Sequence, residues 1–198
     1  MLTDADVMNE FQAAEAILRG HFILSSGLHS DTYLQCARVL MNPTRAEKLC
    51  AALAEKVKHK IGGQSIDLVV APAMGGVVVG YEMGRQLGVE TIFCERENSV
   101  FTLRRGFRIE PGQRILLVED VVTTGKSSLE TVTCIEAHGG KVVAEASLID
   151  RSGGESSRLP FPLISLMSVD VATFTADAVP AHLSDIPAVK PGSRFLKK

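Results

Sequence analysis

The chain lacks an excess of charge of either sign. Its 21 lysines and arginines face 23 aspartates and glutamates, a formal net charge of −2. A generic nucleic-acid binder is usually basic, so no nucleic-acid partner is expected. A long apolar run is missing too. The longest uncharged stretch, Leu68 to Tyr81, covers 14 residues and contains one proline and three glycines. That is too short and too broken to span a bilayer, so no membrane partner is expected. The N-terminal MLTDADVMNE is acidic and shows no basic start followed by an apolar run, the pattern of a secretory signal. Close cysteine pairs are absent. Cys36, Cys50, Cys94 and Cys134 form no CxxC unit and have no histidine at zinc-finger spacing. They are expected to be reduced and mostly buried, in a cytoplasmic protein. The five histidines form no HExxH, and no GxSxG elbow occurs.

What remains is an ordinary globular composition, 45% apolar and 22% charged over 198 residues, with 17 unevenly placed glycines. Such a length suits one α/β domain. Residues 3–19 predict a helix, with a capping box from Thr3 to Asp6, Val7, Phe11, Ala14 and Leu18 on one face, and Gly20 as its stop. Residues 21–41 predict short strands around a Ser/Gly turn. Asn42-Pro43 opens a second helix that turns Leu49, Leu53 and Val57 inward and ends at Gly62-Gly63. Then apolar runs alternate with helices: strands at 67–72, 91–96, 115–120 and 142–150, with helices reaching Gly88 and covering 126–138. That alternation predicts βαβ units and a parallel sheet. Five of the eight prolines follow residue 159, which predicts an irregular tail over the body.

The segment with chemical content is ILLVEDVVTTGKSS, residues 115–128. Four apolar residues form a buried strand. Glu119 and Asp120 emerge at its C-terminal end, where α/β sheets place ligands. Val121, Val122, Thr123, Thr124, Gly125, Lys126 and Ser127 then lead into a helix whose N-terminus suits a phosphate. The GKS triplet imitates a nucleotide-triphosphatase loop, but Asp120 stands where that loop needs its first glycine. Carboxylates that accept bonds from vicinal hydroxyls, beside a phosphate cradle, fit a sugar phosphate.

This signature resembles that of the type I phosphoribosyltransferases. The resemblance implies an α/β fold with a mainly parallel sheet flanked by helices and a small N-terminal hood. It would be one domain over 1–198, with a hood near 1–42 joined by the C-terminal tail, and a core near 43–158. It implies that Glu119 and Asp120 hold the ribose hydroxyls of phosphoribosyl pyrophosphate, and that residues 121–127 hold the 5-phosphate. The small-residue loop APAMGG, 71–76, would bind pyrophosphate through Met74, Gly75 and Gly76. Gly76, Gly80, Gly84 and Gly88 recur every four residues, a close-packing face and a candidate subunit interface. Residues 96–114 hold five arginines against two glutamates. In the family a mobile basic loop at this place closes over pyrophosphate, often across a homodimer, and Arg96, Arg104 and Arg105 would serve there.

The segment FILSSGLHSDTYLQCARVL, 22–40, is similar to the hood of the orotate-using branch, as are LIDRSGG, 148–154, and PAVKPGSR, 187–194. On that pattern Thr123 and Arg151 would contact orotate, with Tyr33 and Leu34 beside its ring. Arg151 offers a planar donor fork for the carboxylate. The sequence departs from the better-known pattern at several cations. Ser25, Met74-Gly75 and Glu97 replace a lysine, a tyrosine-lysine pair and a lysine, while Lys126 is an added cation. The implied reaction replaces pyrophosphate by orotate N1 at ribose C1, with Mg²⁺ as cofactor and no dedicated protein cluster of metal ligands. Two alternatives stand beside this reading: a purine phosphoribosyltransferase, and a non-catalytic regulator of the same fold that binds nucleic acid.

Overall fold

A computed structural model describes residues 2–24, 26–154 and 159–191. Its centre is a six-stranded sheet in the order β5-β4-β3-β6-β7-β8. These strands are β3 (Leu68–Pro72), β4 (Glu90–Glu97), β5 (Val100–Leu103), β6 (Arg114–Val122), β7 (Lys141–Asp150) and β8 (Leu163–Ser168). All neighbours run parallel except the β4–β5 pair at one edge. The middle strands are buried on both faces, which is why they read as apolar runs without alternation.

Helices cover both faces. On one lie α1 (Asp4–Ala13), α2 (Cys36–Leu40), α3 (Pro43–Lys60) and α4 (Gly75–Leu87); on the other lies α5 (Lys126–Ala137). α3 begins as its sequence requires: Asn42 caps the Arg45 amide, Pro43 sits in the first turn, and Leu49, Leu53 and Val57 are fully buried. All four cysteines are free and buried. Among the described residues no helix is long and apolar enough to cross a membrane.

The hood is a two-stranded antiparallel sheet, β1 (Ile17–Ile23) with β2 (His29–Leu34). The tail adds a rung at each of its edges, Val189 beside Phe22 and Phe174 beside His29. A short helix, α6 (Ala181–Ser184), joins the two.

Four expectations need correction. Of the segment 21–41 expected as short strands, Cys36–Leu40 forms the helix α2. The first helix does form the Thr3–Asp6 capping box, but it ends at Ala13 rather than near 19. Glu15 takes a left-handed φ of 50° and turns the chain, and Leu18 pairs with Tyr33 in β1. Hood pairing overrides the helical period there. The tail is not wholly irregular, because Leu163–Ser168 extends the sheet beside β7. The glycine face of α4 packs within the chain. A methyl on Gly80 would lie 2.8 Å from Ala71 Cβ, and one on Gly84 would run into the Thr91 side chain and lie 2.9 Å from the Val89 carbonyl, so both glycines let α4 settle on β3 and β4. Gly88 is the left-handed cap that ends the helix.

Candidate active site

The parallel strands end together, and the turns after them enclose a cavity of about 770 Å³. Its walls come from 72–75 at the end of β3, Glu95 and Arg96 of β4, Glu119, Asp120 and Val121 at the end of β6, Thr123, Thr124 and Ser127 after it, 151–153 after β7, and Asp170, Val171 and Thr173 after β8. Leu24, Ser26, Leu28, Tyr33 and Leu34 of the hood close it from above, with Pro191. This is the C-terminal edge of an open α/β sheet, its ordinary ligand position.

β6 sets the floor. Side chains alternate along a strand. Leu116 and Val118 therefore face the α3–α4 layer, while Ile115 and Leu117 face α5. The alternation continues into the acidic pair, so Asp120 lies against the start of α4 and Glu119 falls on the α5 side. Asp120 packs over Gly75, where an added methyl would come within 2.8 Å of Oδ1. The Val121 amide donates to Asp120 Oδ1 at 2.9 Å. Burial pushes the Asp120 carboxyl upward, against the pull of that amide.

Two helices aim bare N-termini at this floor. α4 starts at Met74 and α5 at Gly125; neither start has a side-chain cap, and neither first turn carries an acid. The Lys126 amide donates to Thr124 Oγ1 at 3.4 Å and the Val77 amide to the Met74 carbonyl at 3.2 Å, while the positive ends of both helices still suit anions. Gly125 reaches its place with a φ of 70°, which favours glycine. The Ala73–Met74 peptide bond is cis.

At the hood end Arg151 lines the cavity with Tyr33, whose ring stacks at a tilt on Phe22 with 5.7 Å between centroids. Arg151 Nε is buried and has no hydrogen-bond partner among the described residues. Burial pulls the Arg151 pKa below the usual guanidinium value, partly offset by Tyr33 and Cys36. The Tyr33 hydroxyl is pushed up by burial and by nearby Asp120.

The structure brings Tyr33, Leu34, Met74, Gly75, Arg96, Glu119, Asp120, Val121, Thr123, Thr124, Ser127 and Arg151 to one cavity. Other candidates lie off its wall. Gly76 is buried beneath it, its Cα side against the Val118 carbonyl, and Val122 faces the core. Gly125 supports the loop from below against Leu159. The Lys126 side chain is 80% exposed, 3.9 Å from Glu130. Residues 96–114 contain a β-hairpin rather than an unpaired loop, because β5 pairs with β4. Arg105 turns back along it and grips Glu95 through Nε and Nη2 at 2.9 and 2.8 Å. Arg104 is exposed. Arg96 stays at the cavity, its guanidinium 4.1 Å above the Phe101 ring and ion-paired with Glu130.

Sequence reasoning missed Glu95, Phe101, Ser152, Asp170, Val171 and Thr173 as wall residues. Their signal is weak because they reach the cavity through distant pairings: β5 against β4, and the tail against the hood. Ser25 and residues 192–194 of the hood-like and tail-like segments lie outside the described residues.

The family description "Phosphoribosyl transferase domain" matches residues 39–160. The chain is 57% identical to the orotate phosphoribosyltransferase of Rhizorhabdus wittichii over 98% of its own length and 97% of that protein. With the orotate phosphoribosyltransferase of Erythrobacter litoralis the identity is 55%, covering 98% and 99%. Among solved structures, the orotate phosphoribosyltransferase from Aeropyrum pernix superposes with a TM-score of 0.68 at 24% identity, covering 82% of this chain and 93% of that one. At that identity the likeness concerns the fold, while the near-full-length relatives carry the branch. The chain therefore belongs to the phosphoribosyltransferase family, among its orotate phosphoribosyltransferases.

Proposed function

We propose that this cavity transfers ribose 5-phosphate from phosphoribosyl pyrophosphate to orotate, giving orotidine 5-phosphate and pyrophosphate in pyrimidine biosynthesis. The observation that carries the residue assignment is the separation of charge across one cavity. An acidic pair and two helix starts without an N-cap side-chain bond lie at the sheet edge, and a half-buried guanidinium, its buried Nε without a partner among the described residues, lies at the hood.

The α5 start, with Thr123, Thr124 and Ser127, takes the 5-phosphate. Glu119 and Asp120 accept from the ribose 2- and 3-hydroxyls and fix the ring for in-line attack at C1. Their negative charge favours the oxocarbenium-like transition state as the bond to pyrophosphate breaks. Met74 and Gly75 offer backbone to the leaving group beside the α4 start, and Arg96 balances its charge. Arg151 pairs with the orotate carboxylate, Tyr33 and Leu34 flank the ring, and Thr123 lies near enough to the base end to orient it. Arg104 and Arg105 are the cations available to close over pyrophosphate once Arg105 leaves Glu95.

The chemistry of this donor set fits Mg²⁺. That ion commonly uses one or two carboxylates together with substrate phosphates, and Glu119 and Asp120 are the carboxylates that would share in holding it. Held there, the ion would supply charge neutralisation for the diphosphate leaving group.

A homodimer belongs to the same proposal. In support, α4 presents Met74, Val78 and Tyr81 outward at 75%, 50% and 71% exposure, an apolar stripe at helical spacing. Four buried free thiols suit a reducing compartment, in keeping with a cytoplasmic enzyme.

The test offers the purified protein phosphoribosyl pyrophosphate and Mg²⁺ with orotate, adenine, hypoxanthine or uracil in separate reactions. Nucleotide should form with orotate. Formation with a purine alone, or with no base, overturns the proposal.

A further inference from the structure

One buried ionisable group has no part in the transfer chemistry. Glu145 lies in the middle of β7, fully buried, with Leu117 of β6 and Leu163 of β8 as its strand neighbours. Its Oε1 accepts a hydrogen bond from the Ser128 hydroxyl at 2.7 Å. Its Oε2 is buried and has no hydrogen-bond partner among the described residues. Ser128 is the third residue of α5, one residue beyond Ser127 of the phosphate loop, and is itself buried. The carboxyl therefore sits directly beneath the helix turn whose amides face the 5-phosphate.

We propose that Glu145 is a proton-linked positioning residue for the 5-phosphate, holding the first turn of α5 and taking up a proton when phosphoribosyl pyrophosphate binds. The inference rests on the assignment of the 5-phosphate to the α5 start given above. A phosphate dianion and a Glu145 carboxylate would draw on the same positive helix end from its two sides. Neither charge is screened well there, because the carboxylate is buried. A neutral carboxylic acid removes the repulsion, and protonating Glu145 also ends the cost of a buried ionised group with one unmade bond. The balance is simple: carboxylate, proton and dianionic ligand become carboxylic acid and bound dianion, with no covalent change.

The surrounding groups are of both signs. On β7 itself Asp150 opposes ionisation of Glu145, and Lys141 stands exposed at the start of the strand, four residues away. On β6 the acids toward the cavity are Glu119 and Asp120, and Arg114 stands at the far end, paired with Asp67. β8 carries no ionisable side chain. On α5, exposed Lys126 lies 3.9 Å from half-buried Glu130, which is also ion-paired with Arg96 at the cavity, while Cys134 contacts Cys94. Burial raises the Glu145 carboxyl to about 7, with Ser128 pulling the other way. Proton binding and ligand binding are reciprocal. Hence the affinity for phosphoribosyl pyrophosphate should fall as pH rises through neutrality.

The experiment compares wild type with Glu145→Gln, a neutral side chain of the same shape. The KM for phosphoribosyl pyrophosphate is measured from pH 6 to pH 8.5 at saturating orotate and Mg²⁺. Ionisation of the ligand's own phosphates is common to both proteins and cancels in the ratio. The ratio of wild-type to variant KM should rise at least about threefold across that range, while the KM for orotate keeps a flat ratio. A flat ratio for both substrates overturns the proposal and leaves Glu145 a packing residue. Infrared difference spectra of the wild type keep the test independent of the variant's folding. Adding phosphoribosyl pyrophosphate at pH 7.5 should increase the protonated-carboxyl band, and no increase overturns the proposal. Absence of any phosphoribosyl pyrophosphate binding by the wild type would instead overturn the function assigned to the cavity, and this inference with it.

Discussion

Gly75→Ala tests the ribose-holding role proposed for Asp120. The new methyl would lie 2.8 Å from Asp120 Oδ1, 3.0 Å from Oδ2 and 3.1 Å from Cγ, where ordinary contact begins near 3.4 Å. The carboxylate must retreat by about 0.6 Å. A hydrogen bond to a charged group contributes about 1.5–3 kcal/mol, so misplacing the ribose contact should lower kcat/KM by about 10- to 100-fold. Stability should change little. The neighbour that yields is a side chain, and alanine is a better helix former than glycine by up to about 1 kcal/mol. Steady-state kinetics and thermal unfolding of the purified variant give both numbers. The mechanism is separated from a direct clash with ligand by repeating the substitution in Asp120→Asn, where the loss should shrink to less than about threefold because the two residues act through one contact. An undiminished loss in that background would refute the reasoning, as would full activity in the single variant.

Gly76→Ala should behave oppositely. Its methyl meets the Val118 carbonyl at 2.9 Å and the Ala71 Cβ at 3.1 Å, so backbone must move, and thermal unfolding should show a loss of about 1–3 kcal/mol. Arg114 holds the Asp67 carboxyl down to about 2, below the usual unfolded value of about 3.9. The folded state therefore binds fewer protons, and this pair's stabilisation is present above about pH 4 and lost as pH falls towards about 2. Asp67→Asn should flatten the acid limb of a stability-against-pH curve; an unchanged limb would argue against the pair. Tyr81→Glu puts a charge into the exposed stripe of α4, and sedimentation should find a dimer for the wild type and a monomer for the variant. Equal masses would remove α4 as the interface.

Much of the site was legible because it is local. The run Ile115–Val118 names a buried strand, and Glu119-Asp120 must then emerge at its end on alternate faces. Asn42-Pro43 and Gly88 punctuate helices by capping and backbone conformation alone. What escaped depends on pairing across distance. The helical period of Val7, Phe11 and Leu18 was cut short because Leu18 pairs with Tyr33. Leu163–Ser168 sits between proline-rich stretches and becomes a strand only because β7 is beside it. Asp170 and Thr173 reach the cavity because Phe174 pairs with His29. The glycine spacing of α4 showed close packing but not its partner, which is β3 at Gly80 and β4 at Gly84. Arginine count located the basic hairpin, yet only the folded chain reveals that Glu95 holds Arg105 away from the cavity wall.

The central claim is that one cavity has a base end at Arg151 and a ribose-phosphate end at the sheet edge. Calorimetric titration of Arg151→Ala with each substrate separately tests it most directly. Loss of one charge-assisted pair should weaken orotate binding by about 10- to 100-fold and change phosphoribosyl pyrophosphate binding by less than about twofold. Equal weakening of both substrates, or unchanged orotate binding, would contradict the account.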